Sequence, residues 1–203
     1  MSYLPYLFFV IFGYISGSIM YSQLLPSLFK HVDIQKISDD GNPGAGNVFK
    51  HLGAPFGMLC LICDLMKGVV PVAICLHYLP WDNLLFALVL AAPVLGHAKK
   101  GKAIAVSFGV LLGLLPSSGM VFYLVVPFVF LSTLVRVNPH AWRVILSFLC
   151  FIMATYARVP VAALRVGGLL LTIAVVAKHG VYVKHSHEKM RVQLGWNVRK
   201  IQR

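Results

Sequence analysis

Between two apolar stretches the chain carries a polar run from Asp33 to Lys50, and inside it the segment Asp39-Asp40-Gly41-Asn42-Pro43-Gly44-Ala45-Gly46-Asn47. Glycines at positions 41, 44 and 46 let the backbone pass close to a ligand and turn its N–H groups inward, as phosphate-binding nests do. Asn42 and Asn47 add side-chain donors, and Lys50 adds a cation. A plain connector is the alternative, but a connector has no need of so many small and amide residues. The chemistry expected here is capture of an anion.

Three more polar clusters follow. Gly96-His97-Ala98-Lys99-Lys100-Gly101-Lys102 is a basic turn. An imidazole with an ordinary pKa of about 6.5 suits proton transfer at neutral pH, so His97 is a candidate general base. The lysines could hold a phosphate, although lysines at such a boundary are also ordinary topology signals. Arg136-Val137-Asn138-Pro139-His140 and Lys184-His185-Ser186-His187-Glu188-Lys189-Met190-Arg191 are each either headgroup contacts or solvated faces.

The elements that must position these groups are apolar. Of 203 residues, 59% are hydrophobic and only 12% charged, with a mean hydropathy of +0.81. A soluble domain carries about 25% charged residues, so this chain cannot cover a water-facing surface. A bilayer core about 30 Å thick takes roughly 20 apolar residues per helix. Seven apolar segments run from Leu4 to Phe29, Ala54 to Leu79, Leu84 to Ala98, Ala103 to Leu115, Gly119 to Leu134, Val144 to Tyr156 and Val161 to Val183. The third, fourth and sixth are short for a full crossing, as tilted or re-entrant helices are. The fold expected is all-α: one integral-membrane domain over residues 1–203, with about seven transmembrane helices. No basic, cleavable leader precedes the first segment.

A net charge of +12 would suggest nucleic acid in a soluble protein. Here the basic residues sit between apolar segments, which points to membrane topology and anionic partners and not to nucleic acid. Lys30, Lys36 and Lys50, Lys99, Lys100 and Lys102, Arg136 and Arg143, and the tail residues Lys184, Lys189, Arg191, Arg199, Lys200 and Arg203 all fall on one side. The opposite loops hold only Arg158. The positive-inside rule makes the basic side cytoplasmic, with the N-terminus outside and the C-terminus inside. Lys67, Arg165 and Lys178 lie within apolar segments. Asp64 and Lys67, at i and i+3, are spaced to pair on one helix face, while Arg165 and Lys178 are placed to snorkel to the interfaces.

Two patterns carry little. Cys60-x-x-Cys63 has metal spacing, but its Leu61-Ile62 filling and the lack of a second pair favour core packing. His77 and Asp82 match the His-x4-Asp spacing of a different acyltransferase superfamily, yet they fall on the predicted outer face, away from every basic loop.

Ser16-Gly17-Ser18-Ile19, Gly41-Asn42-Pro43-Gly44-Ala45-Gly46-Asn47-Val48 and Asp64-Leu65-Met66-Lys67-Gly68, followed by Gly96-His97 and Gly101-Lys102, resemble in that order the bacterial acyl-phosphate:glycerol-3-phosphate acyltransferases of the PlsY type. The resemblance implies a multi-pass bacterial plasma-membrane enzyme of seven helices with its active site at the cytoplasmic interface. It implies transfer of a fatty acyl group from acyl phosphate to the 1-hydroxyl of glycerol 3-phosphate, giving lysophosphatidate for phospholipid synthesis, with no cofactor or metal. An acyl phosphate is already activated, so the protein needs chiefly to hold two phosphates and orient the hydroxyl.

On that resemblance the catalytic residues are His97, as base or orienting group, and Lys102. The substrate-binding set is Asp40, Gly41, Asn42, Gly44, Asn47, Lys50, Arg136 and His185. The chain departs from the family's pattern in several places. Asp40 stands where the family has Ser, and an anion there repels phosphate unless protonated or turned away. Lys50 and Gln35 replace arginines, Pro139 a Ser and Glu188 an Asn. Most of a Phe-rich stretch between Gly96-His97 and Lys102 is missing, which puts the reach of Lys102 in question. These departures keep a second reading open, a non-catalytic paralogue that binds an anionic lipid or phosphate ligand.

Overall fold

The computed structural model describes residues 3–186 and 189–194. The polar tail positions His187, Glu188, Arg199, Lys200 and Arg203 lie outside the described residues. The first apolar segment is not one helix. It divides into α1 (Leu4–Ser18) and α2 (Tyr21–Lys30), bent by 43° at the Ile19-Met20 break.

A break inside an apolar bundle frees backbone carbonyls that lipid cannot satisfy. Here the partners come from α5 (Ala54–Tyr78). Lys67 Nζ donates to the Ile19 carbonyl at 2.6 Å and pairs with Asp64 Oδ1 at 2.9 Å. Ser22 Oγ donates to Asp64 Oδ2 at 2.5 Å, and Ser16 Oγ donates to the Lys67 carbonyl at 3.0 Å. Both charged side chains are buried. The pair expected at this spacing is present, and it clasps the broken helix to its neighbour.

The polar connection between α2 and α5 holds two short helices, α3 (Ile34–Ile37) and α4 (Ala45–Leu52). The remaining apolar helices are α6 (Phe86–Ala98), α7 (Ile104–Gly113), α8 (Met120–Thr133), α9 (His140–Arg158) and α10 (Ala162–Ser186). By length and apolarity α5, α9 and α10 can each cross a membrane, and the bent α1–α2 pair makes a fourth candidate; α6, α7 and α8 are shorter. The sixth segment is therefore longer than its apolar run predicts, because polar His140 and Arg143 belong to its first turn.

Glycine lets α7 approach α5 closely. A Cβ on Gly109 would collide with the Leu65 carbonyl oxygen, and one on Gly68 would meet the Val106 carbonyl at 2.5 Å. Small residues at such seams allow helices to pack by van der Waals contact where no hydrophobic force separates them from lipid. The helical expectation also omits a ribbon. β1 (Val135–Asn138) pairs antiparallel with β2 (Arg191–Leu194), placing Val137 opposite Val192.

Removing the cation by Lys67→Met leaves a buried carboxylate and the Ile19 carbonyl without their partner, a loss of about 3–5 kcal/mol. Unfolding in detergent should show that loss, and the Asp64→Asn/Lys67→Met double variant should lose less than the sum of its single changes.

Candidate active site

The polar loop is built by capping and turning. Asp33 caps α3, its Oδ1 accepting from Gln35 N at 3.1 Å and Lys36 N at 3.3 Å. The chain then turns through Gly41 at φ +60°, a left-handed conformation that glycine adopts without a Cβ penalty. It enters α4 at Gly44, so the N-terminal turn of α4 faces a cavity of about 600 Å³. Helix N-termini present free N–H groups and a positive dipole end, which favour an anion.

The basic turn reaches the same cavity despite its shortness. Lys100 N and Gly101 N both donate to the His97 carbonyl, at 3.2 and 3.0 Å. A Cβ on Gly101 would collide with His97 Nε2, so only glycine lets the imidazole lie beneath the turn. Ala103 follows at φ +60°. Lys102 then extends across the cavity to the polar loop.

There Lys102 Nζ donates to Asp40 Oδ2 at 2.5 Å. Asp40 Oδ1 accepts from Asn47 Nδ2 at 2.9 Å and from Asn42 N at 3.2 Å. Asn47 Nδ2 also donates to the Asn42 carbonyl at 2.7 Å. The Lys102 ammonium lies 3.9 Å from the centroid of the Tyr182 ring on α10, within cation–π range. Burial raises the Asp40 carboxyl, but Lys102 and the Asn47 and Asn42 hydrogen bonds outweigh it and hold it below its ordinary 3.8. The repulsive anion is thus neither protonated nor turned away from the site: it is paired.

Asp40, Asn42, Gly44, Asn47, His97 and Lys102 all line the cavity. Two buried atoms among them, Asn42 Oδ1 and His97 Nδ1, have no hydrogen-bond partner among the described residues. Phe49, Leu61, Leu65, Phe108, Leu112 and Phe128 form its apolar wall, and half-exposed Leu112 sits on the outer side of the bundle. Four expected residues do not line the wall. Gly41 supplies the turn; Lys50 pairs with Asp39 at 2.5 Å on the exposed surface. Arg136 is exposed on β1 opposite Gln193. His185 is exposed, its Nδ1 donating to the Val181 carbonyl of its own helix at 2.7 Å.

His140 was legible only as part of a polar cluster, yet it lines the cavity from the first turn of α9. Arg143 Nη2 donates to His140 Nδ1 at 2.9 Å. Because guanidinium can only donate, the neutral ring must carry its proton on Nε2. The His179 ring lies 6.3 Å away on α10. No sequence spacing links two histidines on different helices; only tertiary packing joins them.

The family model of glycerol-3-phosphate acyltransferase matches residues 7–192. The chain belongs to the glycerol-3-phosphate acyltransferase family. A glycerol-3-phosphate acyltransferase of Geotalea daltonii is 33% identical over 92% of this chain and 93% of its own length. One from Aquifex aeolicus is 32% identical over 81% of this chain and 89% of its own. Among solved structures, PlsY, an integral membrane glycerol 3-phosphate acyltransferase in its glycerol 3-phosphate form, superposes with a TM-score of 0.77 at 24% identity, covering 90% of this chain and 92% of that one. This likeness shows that the two chains share one helical fold.

The lowered Asp40 value fixes a sign. Its pairing contributes stability that is fully present above the ordinary value of 3.8 and is lost as pH falls through the lower folded value. Asp33 and Asp39 are lowered too, the first chiefly by the Gln23 hydrogen bond and the second by Lys50. Thermal melts on acidification below about pH 4 should therefore show falling stability. Asp40→Asn should flatten that fall in part, with the other two carboxylates accounting for the remainder.

Proposed function

We propose that this protein moves a fatty acyl group from acyl phosphate to the 1-hydroxyl of glycerol 3-phosphate, releasing lysophosphatidate and phosphate. The observation that carries the reading is the single cavity in which Lys102 and the loop donors meet an apolar wall. Such a cavity suits a ligand with a phosphate at one end and a hydrocarbon chain at the other. Family membership supports the same activity, and the non-catalytic paralogue is not favoured by relatives that are themselves named as acyltransferases.

In this mechanism the glycerol oxygen attacks the acyl carbon, the acyl–oxygen bond to phosphate breaks, and phosphate leaves. Lys102, Asn42, Asn47 and the backbone at Gly44 hold phosphate oxygens and stabilise the charge the leaving group gains. The hydroxyl proton goes to His97 or to the phosphate of glycerol 3-phosphate itself. Lys50, Arg136 and His185 reach the ligand only by leaving their present positions.

Purified protein given palmitoyl phosphate and glycerol 3-phosphate should release phosphate, and Lys102→Ala should lower that release by about 10²–10³-fold. No release by the wild type would remove this substrate pair.

The reading extends to topology: a bacterial plasma-membrane protein in which the α1–α2 pair, α5, α6, α7, α8, α9 and α10 make seven crossings, with the N-terminus outside and the cavity cytoplasmic. The charge asymmetry of the loops supports it. Alkaline phosphatase fused after Asp82 should then be active and after Lys100 inactive; the reverse pattern would invert the assignment.

A further inference from the structure

Asp40 holds both kinds of donor that a phosphate would use in this cavity. Its Oδ2 takes the Lys102 ammonium, and its Oδ1 takes the Asn47 amide and the Asn42 backbone N–H. These donors come from the loop before α4, from the first turn of α4 and from the turn before α7, with Lys102 62 residues from Asp40. The contact is therefore a feature of the assembled site and not a local turn.

The surface pair of Lys50 with Asp39 offers a contrast. There both side chains are more than half exposed, whereas Lys102 and Asp40 are about one-fifth exposed, at 17% and 21%. Water screens the first pair and screens the second far less. Asn42 and His97 line the same cavity, and their Oδ1 and Nδ1 atoms are buried with no hydrogen-bond partner among the described residues.

We infer that Asp40 is an internal occupant of the phosphate cradle: its carboxylate takes the donors that a phosphate would use, and a phosphate enters by exchange against it. This rests on reading the cradle as a phosphate site. An arriving dianion meets a lysine whose charge is already matched, so binding is weaker than the same donors would give beside a neutral residue. The same carboxylate reclaims Lys102 when phosphate leaves, which favours release of the inorganic product. Asp40 is a specificity-determining residue here, setting the affinity for phosphate without touching the acyl group.

The test is titration of detergent-purified protein with inorganic phosphate by calorimetry, alongside the unfolding temperature of each variant. Asp40→Asn keeps the shape and removes the charge; Asp40→Ser shortens the side chain as well. Both should bind phosphate about tenfold more tightly than the wild type, a change of about 1.4 kcal/mol. Adding Lys102→Met to Asp40→Asn should abolish the gain, because the competition is for that ammonium. In the turnover assay Asp40→Asn should be inhibited by inorganic phosphate at correspondingly lower concentration.

Equal or weaker phosphate binding by a folded Asp40→Asn would overturn the exchange and make the carboxylate part of the binding surface. If Asp40→Ser does not fold, Asp40→Asn carries the comparison, since its amide oxygen can still accept from Asn47 and Asn42. Phosphate binding without acyl transfer would strike the proposed reaction and leave the exchange standing. No phosphate binding by any variant would strike the cradle itself.

Discussion

The fold hangs on the carbonyl of Ile19. Where α1 stops and α2 begins, the backbone inside an apolar bundle loses its helical partner, and neither lipid nor an aliphatic neighbour can replace it. Lys67 supplies a donor at 2.6 Å, and Asp64 pairs with that buried ammonium at 2.9 Å while also receiving the Ser22 hydroxyl. A buried ion pair is weak evidence for net stability, since desolvation opposes its attraction. Its value here is positional: two charges, two hydroxyls and one broken helix fit together in one arrangement.

The polar groups around the cavity follow from that arrangement. The bend aims α2 so that Gln23 Nε2 reaches Asp33 at 2.7 Å, and Asp33 in turn caps α3. The loop then delivers Asp40, Asn42 and Asn47 to the N-terminal turn of α4, which packs on α5. From the other direction the α5–α7 glycine seam sets where α7 starts, and hence where Lys102 hangs. The site is the meeting point of two rigid routes out of one helix.

Much of this was legible in the residues themselves. Segment order, the Asp64–Lys67 pair and the anion-directed loop follow from apolar run length, from i,i+3 spacing and from glycine and amide content, all of which are local. The break at Ile19-Met20 was not legible, because Ser18-Ile19-Met20-Tyr21 is as apolar as the helices around it and its cause lies 48 residues away in Lys67. The ribbon was hidden for a similar reason, since each strand has only four residues and finds its partner across two helices. At the site, loop and turn could be named but not their contact. Asp40 looked like an obstacle to phosphate until its distance to Lys102 gave it a partner. Lys50, Arg136 and His185 are of types that can bind an anion and lie off the cavity wall, a distinction that only side-chain direction makes.

The ribbon bears on the order in which the protein is assembled. β1 lies immediately before α9 and β2 after α10, so β1 has no strand to pair with until the last of these helices has left the ribosome and entered the membrane. Val137, buried in the finished ribbon, waits exposed during that interval. The helix that β1 leads into carries His140 at its start. One wall of the cavity is thus left unlatched until the chain beyond α10 has been made.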